Sequence, residues 1–157
     1  MANTYSKLYT HIVFSTKHRE PWLGADVRPK VWAYMSGIVE NKDCTLVLAN
    51  GWVDHAHLLV IRKPKVSESD LVGPVKSNSS RWIREQWPGM RRFAWQDGFA
   101  AFSVSHSKVD DVRRYIQNQE SHHGRVSYES EFLGLLKKHG VEYDRRYVFD
   151  DGAVIAG

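Results

Sequence analysis

Two histidines one residue apart, His55 and His57, stand in the stretch WVDHAHLLVIR at positions 52–62. The residues around them are those of a buried strand, and an imidazole in such a place needs a partner for each ring nitrogen. Side chains two apart on a strand share a face, so both rings project together while Ala56, Leu58 and Val60 face the other way. Neutral imidazole nitrogens held that close are natural metal ligands. Two ligands do not complete a site, and the single cysteine, Cys44, rules out a multi-cysteine one. His106, His122 and His123 are candidates for a third ligand, as is the side-chain oxygen of Gln119. Two imidazoles and an amide oxygen, left open to water and phosphate, suit a hard divalent ion such as Mg²⁺ or Mn²⁺.

The second constellation is VRRYIQNQESHH, residues 112–123. Tyr115 and Gln119 are four apart, hence stacked on one helix face, with Val112 and His122 close to the same stripe. If Gln119 completes the metal site, the Tyr115 phenol lies one turn away, within reach of a phosphate held there. A phenol with a free pKa near ~10 is a weak nucleophile, but a metal that polarises the phosphate offsets this. Arg113, Arg114 and Lys108 add positive potential nearby.

Elements that could position these groups are legible along the chain. Residues 7–19 alternate like a strand ending in a basic turn. Val27, Val31, Tyr34, Met35 and Ile38 follow at helical spacing, with Pro29 early in that helix. A strand over 44–53 reaches an Asn-Gly turn signal at 50–51, and the histidine strand returns from it. Ser67 and Asp70 mark a cap and an acidic first turn, while Gly73-Pro74 threatens a kink or a late start. A strand over 93–105, broken near Asp97-Gly98, leads to a helix capped by Ser107 and ending before Gly124. A short helix over 128–140 and a tail complete the chain. The order β-α-β-β-α-β-α-α predicts an α+β fold: a ferredoxin-like (RRM-like) antiparallel sheet with helices packed on one face.

The chain of 157 residues, with 42% hydrophobic and 25% charged residues, is expected to form one domain over 1–157, its core at about 5–150 and a tail after 150. The lone cysteine makes a reducing compartment the default, and neither a signal peptide nor a membrane-crossing run is read. A net charge of +4 and a pI near 9.2 lean toward an anionic partner. STKHR at 15–19 and KSNSSRWIRE at 76–85 combine cations, hydroxyls and an aromatic, which suits single-stranded nucleic acid; Lys17, Arg19, Lys76 and Arg81 are the candidate DNA contacts.

The stretches DHAHLL, KSNSSRW, WQDGF and YIQNQESHH, in this order, resemble the HUH-superfamily single-tyrosine transposases of small insertion sequences, the IS200-like family with its repeat-associated relatives. The resemblance runs from YTHIVFSTKHR to VEYDRRYV. It implies the HUH endonuclease fold, His55, His57 and Gln119 as metal ligands and Tyr115 as nucleophile. It further implies cleavage and rejoining of single-stranded DNA through a 5′-phosphotyrosine linkage, with hairpins at the element's ends as the bound DNA. A homodimer, with active sites assembled in trans in many members, a prokaryotic cytoplasmic setting and no nucleotide cofactor complete the expectation. Ala56 departs from the family pattern, replacing a bulkier aliphatic residue, and altered packing is expected from it. The alternatives are a non-catalytic single-strand binding module and a metal-dependent nuclease that uses water.

Overall fold

The computed structural model describes residues 3–150. Four strands, β1 (Leu8–Ser15), β2 (Thr45–Trp52), β3 (His55–Arg62) and β4 (Ala100–Val104), form one sheet in the order β2-β3-β1-β4. Every neighbouring pair is antiparallel. Helices α1 (Arg28–Asn41) and α2 (Glu68–Gln86) join β1 to β2 and β3 to β4, so the ferredoxin-like order holds. Three further helices, α3 (Val109–Gln117), α4 (Gln119–His123) and α5 (Tyr128–Lys138), follow β4. None of the described helices is long and apolar enough to cross a membrane.

Strand alternation divides the core. Ile12, Phe14, Ala56, Leu58 and Val60 pack beneath Val31 and Met35 of α1 and Leu71, Val75 and Ile83 of α2. The opposite face carries Val13, Ala100 and Phe102 against Tyr128, Phe132 and Leu136 of α5, and Leu59 against Val109 and Ile116 of α3. Helices therefore cover both faces, where a single helical face was expected. The reason is that the second face also carries apolar residues, Val13 of β1 and Leu59 of β3, from which water must be excluded. His55 and His57 belong to the second face and lie beneath α3–α5.

Three local features bear on the sequence reading, of which the Ser67 cap holds and the other two differ. The β2–β3 turn is at Val53-Asp54, not at Asn50-Gly51, which pair within the ladder with His57 and Ala56. The turn carbonyls are tied by tertiary donors: Leu23 N–H to Val53 O at 2.9 Å and Thr16 N–H to Asp54 O at 2.8 Å. Gly51 is needed for close approach, since a Cβ there would lie 2.1 Å from the His55 carbonyl oxygen. Second, α2 starts at Glu68 in spite of Pro74, because the Ser67 side chain accepts the Asp70 N–H at 3.0 Å and caps it. Third, the helix after β4 is divided. A 3₁₀ turn over His106–Lys108 precedes α3, no Ser107 cap forms, and the helix breaks at Asn118 between Tyr115 and Gln119. The Asn50 side chain donates to Ile116 O at 2.9 Å and Gln117 O at 3.2 Å, taking over carbonyls at that break. The break near Asp97-Gly98 is present, with only an isolated Thr16–Trp95 bridge before β4. Val148 and Phe149 fold back onto the α5 cluster, whereas the tail after 150 lies outside the described residues.

Candidate active site

The face of β3 that carries His55 and His57 is fully buried, and both rings turn Nε2 toward the same point. Their Nδ1 atoms are held from behind. Asp54 Oδ1 lies 2.8 Å from His55 Nδ1, and His11 Nε2, on the neighbouring β1, lies 2.9 Å from His57 Nδ1. The His11 and His57 rings are stacked at 5.1 Å. Partners of this kind fix ring orientation and leave Nε2 as the outward donor atom, the usual backing of a metal-ligating histidine.

Glu131 of α5 is the group on which the others converge. Its Oε1 lies 3.1 Å from His57 Nε2, 3.3 Å from His55 Nε2 and 3.2 Å from His123 Nε2. Its Oε2 accepts from Gln119 Nε2 at 3.0 Å and from the Tyr115 hydroxyl. Gln119 thereby turns its Oε1 inward, 3.0 Å from both His55 Nε2 and His123 Nε2. His122 Nε2 comes within 3.2 Å of Glu131 Oε2, yet it is buried without a hydrogen-bond partner. Two sets, His55–His57–Glu131 and His122–His123–Glu131, each bring three donor atoms within 4.8 Å of one another. An orphaned buried nitrogen beside convergent imidazoles and a carboxylate fits a divalent cation.

The electrostatics follow from burial and proximity. Burial alone would lower His55, but hydrogen bonds to Asp54 and Glu131 outweigh it and raise the imidazole to about 9. His57, with burial dominant and His55 beside it, falls to about 4 and stays neutral. Burial would raise Glu131, yet hydrogen bonds from His123, His55 and His57 hold it well below the usual carboxylate range. The Tyr115 phenol is pushed above its ordinary value by burial first and then by the Glu131 charge. Without a metal, then, the centre is an imidazolium–carboxylate pair beside a protonated tyrosine. The tyrosine reaches the histidines of its own chain: its ring centroid is 5.7 Å from that of His57 and 5.6 Å from that of His122.

A cleft of about 810 Å³ opens beside Tyr115, between α3 and α5, with Lys108, Lys138 and His139 on its walls. The four cations read from the sequence do not line this cleft. Lys76 and Arg81 are on α2, across the sheet from the histidines, with Lys76 Nζ donating to Gly98 O at 2.7 Å and Arg81 to Asn78 Oδ1 at 3.1 Å. Arg19 pairs with Glu129 at 3.0 Å and covers the Phe149 ring, while the Lys17 N–H bonds Ala94 O at 2.8 Å. Of the candidate third ligands, Gln119, His122 and His123 join the cluster, whereas His106 stands exposed near the Tyr9 ring.

Glu131, His11 and Asp54 were not singled out by the sequence reading, and Asn50 was read only as a turn residue. Glu131 had a signal: it falls in register with buried Tyr128, Phe132 and Leu136, an acid on the apolar stripe of α5. His11 shares its strand face with Val13, the face that turns toward His57.

The family described as "Transposase IS200 like" matches residues 4–119. The transposases for insertion sequence element IS200 of Salmonella typhimurium and of Salmonella typhi are each 27% identical over 124 residues, covering 76% of this chain and 81% of theirs. A crystal structure described as a candidate transposase from Deinococcus radiodurans R1 superposes with a TM-score of 0.60 at 23% identity, over 76% of this chain and 95% of that one. A REP-associated tyrosine transposase bound to a REP hairpin gives 0.57 at 14% identity, over 80% and 74%. These two share the fold of the sheet and its helices. Since the matched segment runs from ahead of β1 through the histidine strand to Gln119, the chain belongs to the IS200-like family of DNA transposases.

Proposed function

We propose that this transposase cuts and rejoins single-stranded DNA by attack of Tyr115 on a phosphodiester, with a divalent ion, Mg²⁺ or Mn²⁺, bound at His55, His57 and Gln119. One observation carries the reading: the Tyr115 hydroxyl and the Nε2 atoms of both histidines converge on one carboxylate. A divalent ion bound there would polarise the scissile phosphate and orient it for in-line displacement. Asp54 and His11 keep the two imidazoles aimed, and Glu131 holds the phenol beside them by its hydrogen bond. The tyrosine oxygen forms a bond to phosphorus as the bond to the 3′-oxygen breaks, giving a 5′-phosphotyrosine. The phenolic proton ends on the released 3′-hydroxyl, which can later reverse the step or be replaced by another strand's hydroxyl. Bond energy is conserved in the linkage, so the cycle needs no nucleotide cofactor.

The strand enters through the cleft between α3 and α5, where Lys108 and Lys138 neutralise phosphates. Hairpin DNA at the ends of the element is the proposed target, on the analogy of the hairpin held by the structural neighbour. A homodimer remains part of the proposal. The test is a 3′-labelled, hairpin-bearing oligonucleotide incubated with Mg²⁺ or Mn²⁺ and resolved under denaturing conditions. A covalent adduct is expected from the wild-type chain and none from Tyr115→Phe. An adduct of equal yield from Tyr115→Phe would overturn the assignment, and nicking without any adduct would point to water as the nucleophile.

A further inference from the structure

We infer that Glu131 and His123 join His55, His57 and the Gln119 oxygen as ligands of this chain's metal centre, which loads metal before DNA arrives. This rests on the reading of His55 and His57 as metal ligands. The first support is convergence: His55, His57 and His123 all bring Nε2 to within 3.1–3.3 Å of the same Glu131 oxygen. The second is burial. Glu131 is 6% exposed on a stripe otherwise made of Tyr128, Phe132 and Leu136. A carboxylate in such a place needs paired charge, and an ion shared with imidazoles supplies it. The third is orientation. Glu131 Oε2 accepts from the Gln119 amide at 3.0 Å, which turns the Gln119 oxygen inward, so the carboxylate also presets the amide ligand. The fourth is the buried, unpartnered His122 Nε2 beside the same carboxylate.

The donor set alters the metal class. Two imidazoles and an amide oxygen suit Mg²⁺ as well as Mn²⁺; adding a third imidazole and a carboxylate favours first-row transition ions such as Mn²⁺ and Co²⁺. All of these ligands lie in one chain, on β3, α4 and α5, so neither DNA nor a second subunit is needed to load the ion.

Chelator-stripped full-length protein, free of DNA, is titrated with Mn²⁺ by the loss of the free-ion electron paramagnetic resonance signal, and with Co²⁺ by visible absorption. One equivalent should bind, with Mg²⁺ a poor competitor. Glu131→Gln and His123→Asn should each weaken Mn²⁺ binding by at least about tenfold, the range lost when even a supporting group of a metal ligand is removed. The Co²⁺ bands should shift in both. Circular dichroism of the stripped variants reports folding. Should Glu131→Gln fail to fold, pulsed resonance on the Mn²⁺-loaded wild type decides by counting coordinated imidazole nitrogens: three support the inference and two overturn it. Wild-type affinity and spectra in both variants, with binding lost in His55→Asn, would overturn it and leave the proposed function standing. Unchanged binding in His55→Asn as well would remove both.

Discussion

At the residue scale, the chemistry depends on groups that never need to touch DNA. Asp54 is the clearest. Its oxygen, 2.8 Å from His55 Nδ1, fixes which nitrogen of that ring faces the centre. Asp54→Ala should therefore weaken Mn²⁺ binding by about tenfold to a hundredfold while leaving the folded chain intact, as a metal titration with a melting curve would show. Equal affinity in the variant would mean that burial alone orients His55. The histidine pair and Tyr115 were legible because their types are rare in a strand and helix of this kind, and their spacing sets a shared face. Glu131 was legible only in part: it falls on the apolar stripe of α5 where Glu129 does not, but only the tertiary fold brings it against β3. The gain at this scale is that the tyrosine and the metal candidates meet through one carboxylate, a link the spacing of Tyr115 and Gln119 does not contain.

At the element scale, a hairpin and a helix break set the geometry. Asn50-Gly51 carries the chemistry of a tight turn, yet Asn50 spends its amide on the carbonyls of Ile116 and Gln117. It thus anchors the end of the tyrosine helix to the histidine hairpin. Asn50→Ala should cost about 1–2 kcal/mol of stability from the lost hydrogen bonds. It should lower adduct formation beyond that loss, because Tyr115 and Gln119 flank the break. Urea unfolding and the adduct assay, run together, separate the two effects. Gly51→Ala should be worse, on the order of 1–3 kcal/mol or more, since its Cβ would strike the His55 backbone. A stable Gly51→Ala protein with wild-type activity would contradict the register. Elements with strong local periodicity, such as α1, α2 and β3, could be read from sequence. The turn position and the break at Asn118 could not, because both are decided by bonds between segments distant in the chain.

At the scale of the whole molecule, the sheet separates two functions of its helices. Helices α1 and α2 seal one face, and α3–α5 build the site on the other. Lys108 and Lys138, on the cleft walls, should then matter more for DNA than Lys76 or Arg81 on α2. In a salt series of single-strand binding, Lys108→Ala and Lys138→Ala should each lower the slope of log K against log salt by about 0.7. Equal or larger losses from Lys76→Ala and Arg81→Ala would move the DNA path to the α2 face. The contact of Tyr115 with its own chain's cluster also predicts that mixing Tyr115→Phe with His57→Asn restores no cleavage; cleavage regained in the mixture, from the one intact site of each mixed dimer, would mean active sites shared between subunits.

The most direct test of the account is to identify the residue joined to DNA. The wild-type protein is reacted with a hairpin oligonucleotide and Mn²⁺, digested with protease and nuclease, and the adduct mapped by tandem mass spectrometry. A single modified peptide carrying a 5′-linked nucleotide on the Tyr115 oxygen is the expected result. A nucleotide on any other residue, or strand cleavage with every peptide unmodified, would contradict it.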